Sequence, residues 1–332
     1  MQSIAVRLAV CLVVFSAVPA NADLELSSGT QIIFGDGSMQ TTAAIIPDGH
    51  GSHNSVVSGN RAFVGGGRNH LASGNYSSIA GGTNNSATAY AATVGGGRDN
   101  NATTIYSTVA GGYYNNAEAN NATVGGGIGN TASAASATVS GGTANTASGS
   151  AAAGGGGPEN SAAGTYSTAA GGFSNAASGN YAAVSGGTGN NASFADATVA
   201  GGRINTAGAK GAAIGGGQLN NATGDYATVA GGNGNVASGR ESFVGGGRTN
   251  TASGIYAVVS GGQDNVAGGT RSFAAGYRAI AQAGHSGAFV WADSTSFDFA
   301  SDGFNTFSVR STNGVRFVTG VDDTTGVPDA GV

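Results

Sequence analysis

The stretch Tyr226-Ala227-Thr228-Val229-Ala230-Gly231-Gly232-Asn233-Gly234-Asn235-Val236-Ala237-Ser238-Gly239-Arg240 recurs, with small changes, along most of the chain. Positions in each unit are counted here from the residue just before the glycine-rich turn, Val229 in this copy. That anchor falls at Val64, Ile79, Val94, Val109, Val124, Val139, Gly154, Ala169, Val184, Val199, Ile214, Val229, Val244, Val259 and Ala274. The step is 15 residues every time, and twelve of the fifteen anchors are Val or Ile, so the period is structural. Gly-Gly occupies +2 and +3 in every unit but the last, where Tyr277 intrudes. Position +6 is asparagine thirteen times: Asn85, Asn100, Asn115, Asn130, Asn145, Asn160, Asn175, Asn190, Asn205, Asn220, Asn235, Asn250 and Asn265. His70 and Ile280 replace it at the two ends, and +8 is alanine in fourteen units.

The pattern converts directly into geometry. Small residues at −2 and the anchor at 0 share parity, which is the period of a short strand. Gly-Gly supplies backbone angles closed to other residues and turns the chain. A second strand follows, with +6 and +8 nearly fixed and +5 and +7 free, as at Leu219 and Asn221. The fixed parity faces in and the free parity faces out. Two strands per 15 residues, stacked in register about 4.8 Å apart, make a parallel β-solenoid of about fifteen coils and about 70 Å. The asparagines of successive coils then form an inward amide ladder. A helical reading fails because glycine at this density costs about 1 kcal/mol per residue against alanine. The +1 residue alternates between Gly and Ala or Ser, as in Gly65, Ala80, Gly95 and Ala110, an order interrupted at Ser185.

Composition agrees. Of 332 residues, 63 are glycine and 4 proline, and 9% are charged. Glycine without proline or a Gly-X-Y triplet excludes collagen, and the low charge argues against disorder. Net charge is −5 with one lysine, Lys210, and scattered arginines, so there is no basic patch for nucleic acid. Residues 1–22 read as a bacterial Sec-type signal peptide: Arg7, an apolar run over 8–18, and Ala20-Asn21-Ala22 before Asp23. That apolar run is too short to span a bilayer, and no second long one follows. The single cysteine, Cys11, lies inside it, which leaves no disulfide for the mature chain. Four segments follow: a signal peptide (1–22), an N-terminal strand–turn segment (23–54), the solenoid (55–284) and a C-terminal β-hairpin cap (285–332). In the cap, Asn313-Gly314 between Phe307/Val309 and Val315/Phe317 is a hairpin signal. Trp291 is expected to cover the open end of the solenoid.

The coil unit, in Tyr226-Ala227-Thr228-Val229-Ala230-Gly231-Gly232 and Asn235-Val236-Ala237-Ser238-Gly239, resembles the head repeats of trimeric autotransporter adhesins, of the YadA-like and haemagglutinin type. The likeness covers residues 55–284. It implies a left-handed parallel β-roll, three chains packed side by side, and a rod that binds host matrix protein, glycan or other surfaces. The flanks, Gln31-Ile32-Ile33-Phe34-Gly35-Asp36-Gly37 and Phe289-Val290-Trp291-Ala292-Asp293, resemble segments that bracket repeats in phage tail-fibre-like surface proteins. No heptad stalk follows the repeats. A homotrimer is also expected from the residues: each coil has one Val and two small residues for a core, and the +1 residue is never larger than Ser.

Catalytic sets are absent from the pattern, and neither enzyme activity nor a cofactor is expected. His50 and His53, with Asp48, have the look of an H-x-x-H pair, but a polar loop is the plainer reading, so no metal is assigned. His70 stands in for a ladder asparagine, and His285 lies in the closing segment. Gly-Gly-Gly is no phosphate loop, lacking the Lys-Ser/Thr ending and a following helix. Tyr76, Tyr106, Tyr166, Tyr181, Tyr226 and Tyr256 all sit at −3, as a contact stripe for ligand or trimer or, more plainly, as shielding of the corner backbone. The expected function is that of a surface adhesin or interaction rod, secreted or on the outer cell surface. The alternatives are a structural fibre without a ligand and an ice-binding solenoid, the latter weakened because the Thr row at −1 is interrupted by Phe63, Phe243, Val258 and Phe273.

Overall fold

The computed structural model describes residues 31–33, 39–41, 55–315, 318–321 and 328–331. Among these the chain is all-β, a parallel solenoid with two ladders of very short strands. One ladder stacks the anchor strands, from Phe63–Val64 through Thr108–Val109 to Phe307–Arg310. The other stacks the +7/+8 strands, from Val56–Val57 through Asn116–Ala117 to Phe299–Ala300. Register is one coil per step, Thr108 on Thr123 and Val109 on Val124, Asn116 on Thr131 and Ala117 on Ala132. The expected parities hold. Val94, Val109 and Val124 at the anchor and Ala102, Ala117 and Ala132 at +8 are fully buried, with Ala or Ser at −2 beside them.

A third line of contact was not foreseen. Single parallel bridges join the +4 residues, Arg68 to Thr83 to Arg98 to Tyr113 and onward. Most coils also hold left-handed backbone at −3 and +5 in residues other than glycine, such as Tyr106 at φ 56° and Leu219 at φ 56°, while Gly129, Gly189, Gly211 and Gly234 take these places in others. Such angles cost a non-glycine residue roughly 1–2 kcal/mol. Here each is fixed by a bond to the preceding coil, as Tyr106 N–H donates to the Tyr90 carbonyl and Leu219 N–H to the Arg203 carbonyl.

The +1 alternation also has a cause inside the chain. A Cβ on Gly95 or Gly125 would run into the carbonyl of Ala110 or Ser140 one coil on. Coil-on-coil packing thus accounts for glycine at these +1 places without a neighbouring chain.

Three expectations are corrected at the C-terminal end. Among the described residues the anchor ladder stacks 17 strands, one per coil, where about fifteen coils were expected. It does not stop at residue 284: Phe289–Ala292 and Phe307–Arg310 extend the anchor ladder in parallel, where a cap was expected. These coils escaped the period because they are longer, 289 − 273 = 16 and 307 − 289 = 18 residues between paired phenylalanines. The fifteenth coil, in turn, drops one residue at its turn. Gly262 pairs with Gly276 and Gln263 with Tyr277, so Ala279, not Ile280, takes the inward +6 place. Finally, Val290 is the buried anchor of its coil, so Trp291 at +1 points sideways to solvent, 38% exposed, and does not cover the end.

At the other end, Gln31–Ile33 and Met39–Thr41 pair antiparallel, and Gln40 lies against Val57 of the first coil. The signal peptide, Asp48, His50, His53 and Phe317 lie outside the described residues. On the described side of the expected Asn313-Gly314 hairpin, Phe307–Arg310 pairs in parallel with the preceding coil. Val318–Val321 and Pro328–Gly331 form a separate antiparallel pair.

Candidate functional surfaces

Inside the rod, all thirteen ladder asparagines are at most 1% exposed. Each ties three coils together. Asn130 Nδ2 donates to the Gly126 carbonyl in its own turn at 2.8 Å and to the Gly142 carbonyl of the next at 2.9 Å. Its Oδ1 accepts the Asn145 backbone N–H at 2.9 Å. The asparagine thus supplies the hydrogen bonds that the Gly-Gly turn cannot make with its own backbone.

His70 heads this ladder, 1% exposed. Its Nδ1 accepts the Asn85 N–H at 3.2 Å, the place that Oδ1 takes elsewhere, so the ring proton of the neutral form is on Nε2. Burial holds its pKa below the ordinary histidine value. The folded chain therefore binds fewer protons here than the unfolded chain once pH falls below about 6.5. Above that pH this residue adds no pH dependence; below it, the first coils are expected to lose stability. Hydrogen exchange of the Leu71 and Ser73 amides at pH 5 and pH 8, corrected for intrinsic rates, checks this. His70→Asn should remove the difference, and an equal difference in the variant would refute the assignment.

The six tyrosines at −3 lie on one edge of the rod, between 37% and 60% exposed. Their rings turn toward one another along the edge. Tyr166 and Tyr181 stack at 5.2 Å, and Tyr90 at −4, which the periodic reading passed over, bridges Tyr76 and Tyr106 edge-on at 5.4 and 5.6 Å. Cations fill the gaps: Lys210 lies over Tyr226, while Arg240 and Arg271 both lie over Tyr256. Many ring faces are thus engaged within the chain, leaving mainly ring edges and hydroxyls for any other contact.

The charges show the clearest spatial order. Between residues 55 and 278, every Asp, Glu, Lys and Arg but Glu118 falls at −4, −3, +4 or +5, which are the two edges. The two strand faces between them carry no charge but Glu118, which stands at +9. One presents −1 and +1, with Thr93, Thr108, Thr123 and Thr138 in a row and Gly, Ala or Ser beside them. The other presents +7 and +9, as in Thr131 with Ser133, Thr146 with Ser148 and Thr251 with Ser253. Toward the C-terminus the first face turns aromatic, with Phe273, Phe289 and Phe307 stacked at 4.6 and 4.8 Å.

Two polar clusters occur in the last coils. His285 Nδ1 lies 2.8 Å from Ser301 Oγ, the spacing of a nucleophile and its base. Ser301 is 2% exposed, however, and its Oγ accepts the Gln282 N–H, so the hydroxyl is a buried bridge that no substrate reaches. Arg310 binds Asp293 Oδ1 at 3.0 Å and the carbonyls of Phe297 and Thr295 at 2.5 and 2.8 Å, pinning the longest coil. Among the described residues no group of three or more His, Cys, Asp or Glu is placed to hold a metal ion, and no helix is long and apolar enough to cross a membrane. No family model matches the chain, and no curated protein matches it.

Proposed function

We propose that the chain is an exported, non-catalytic rod that works by presenting extended, uncharged strand faces to other macromolecules, as a surface adhesin does. The segregation of charge carries this reading. From residue 55 to 278 the charged side chains, Glu118 apart, occupy the two edges, and the faces between them are mostly short-chained up to the aromatic run at Phe273, Phe289 and Phe307; the 17 coils span about 80 Å at the strand spacing. The repeat resemblance points the same way and adds side-by-side trimerisation. The thin core and the aromatic end of the Thr face support an assembled state, with a homotrimer the expected one.

The test is binding of the purified chain to immobilised matrix proteins and neutral glycans. Binding should persist at about 1 M salt, where charges are screened beyond about 3 Å. Thr138→Lys or Thr146→Lys, each placing a cation on one face, should abolish it for the face in use. Absence of binding across such a panel would favour a structural fibre. Sedimentation of residues 23–332 tests the trimer separately, and a clean monomer with native β-sheet signal would refute it.

The ice-binding alternative gains from one observation. Hydroxyls pair at +7 and +9 in four coils, Ser86/Thr88, Thr131/Ser133, Thr146/Ser148 and Thr251/Ser253, a two-row element that the −1 row lacks. Thermal hysteresis of the same sample distinguishes it.

A further inference from the structure

One coil departs from the others in three ways at once. Residues 154–157 are four consecutive glycines, followed by Pro158. Gly154 occupies the buried anchor place, pairing with Val139 on one side and Ala169 on the other. Two successive coils thus lack the branched side chain that fills the core elsewhere. Pro158 has no N–H to give, and the line of +4 bridges, continuous from Arg68 to Pro158 and again from Phe173 to Gln263, is interrupted between Pro158 and Phe173. The backbones of these two coils also approach each other closely on the outer side. A Cβ on Gly155 would come nearer the carbonyl of the next coil than at any other described glycine.

We infer that the rod is two cooperative blocks joined at this seam, and that it opens and bends there before anywhere else between its ends. In a stacked-repeat protein, stability is the sum of each repeat and its contacts with its neighbours, so one weak interface divides the cooperative unit. Here the interface keeps its asparagine ladder, with Asn175 N–H on Asn160 Oδ1 at 3.1 Å, but loses apolar packing and one bridge. The seam is a polar hinge. It lets the two halves of a display face follow a target that is not flat.

Hydrogen exchange at single-residue resolution on the full chain tests this. Ala153, Gly155, Ser161 and Ala163 donate across the seam; Thr108, Ala110, Asn116 and Glu118 donate at the matching positions three coils earlier. The seam amides should exchange at least about tenfold faster, which is about 1.4 kcal/mol of local opening. Equal protection in the two sets overturns the proposal. In a second experiment Gly154→Val with Ala169→Val fills the core. A Cβ at 154 meets the Val139 methyls at 3.4 and 3.8 Å, ordinary contact. Pro158→Thr, made separately, restores the donor. Each should slow the seam amides, and a fast seam that neither slows would overturn its assignment to these residues. Should the double variant not fold, the wild-type comparison decides alone.

Discussion

Gly202→Ala is expected to destabilise the rod by about 4 kcal/mol, while Gly201→Ala, one residue away, leaves it unchanged or slightly more stable. Gly202 at +3 has φ 89°, and an added Cβ would run into the Gly217 carbonyl and sit 2.6 Å from Asn205 Nδ2. Left-handed strain and overpacking each cost about 1–3 kcal/mol, and neither neighbour can yield, because the carbonyl is ladder backbone and the amide is bonded on both sides. At Gly201 nothing lies within 4 Å of the new methyl. The usual gain from replacing an unstrained glycine is about 0.4–1 kcal/mol. Chemical denaturation of the two variants beside the parent gives both values. Similar losses in both would mean that the turn is not built as described.

Asn130→Ala should cost about 3 kcal/mol, the upper end of the range for leaving buried partners unpaired. The substitution orphans the Gly126 and Gly142 carbonyls and the Asn145 N–H together, around a side chain that is fully buried. Asn221→Ala is the comparison. That asparagine sits at +7 on the outer face, and its Oδ1 has no protein partner. Its loss should stay within about 0.5 kcal/mol. If the two variants melt together, the ladder carries no stability.

These contrasts show what was legible in the residues. Val, Asn and Ala repeat at 0, +6 and +8 because an inward place allows few substitutes, so parity and register could be read without coordinates. The +4 bridges could not, because their side chains point outward and only the backbone is constrained. Arg98, Tyr113, Ile128 and Thr143 serve equally there. Nor could the left-handed corner at −3, since the bond to the preceding coil tolerates Tyr, Asp, Glu or Arg where a turn usually calls for glycine. Trp291 was misplaced for a simpler reason. With Val290 taken as the anchor, parity alone puts the indole outside, but the 16-residue step hid that anchor. The tyrosine edge was legible as a phase and not as a contact. Its ring stacking depends on Tyr90 and the basic residues at −4 and −3, which follow no period.

The alternation at +1 bears on how such a chain acquires its length. Gly stands at +1 in odd-numbered coils and Ala or Ser in even ones, except at Ser185 and Ala275; after Ser185 the order resumes in its original phase at Ala200 and Gly215. An in-frame duplication of one coil would set two like turns against each other, as Ala170, Ser185 and Ala200 already stand in succession. Duplication of a pair leaves every contact as it was. A pair of coils is thus the step that leaves the +1 contacts unchanged, and it adds about 10 Å of reach.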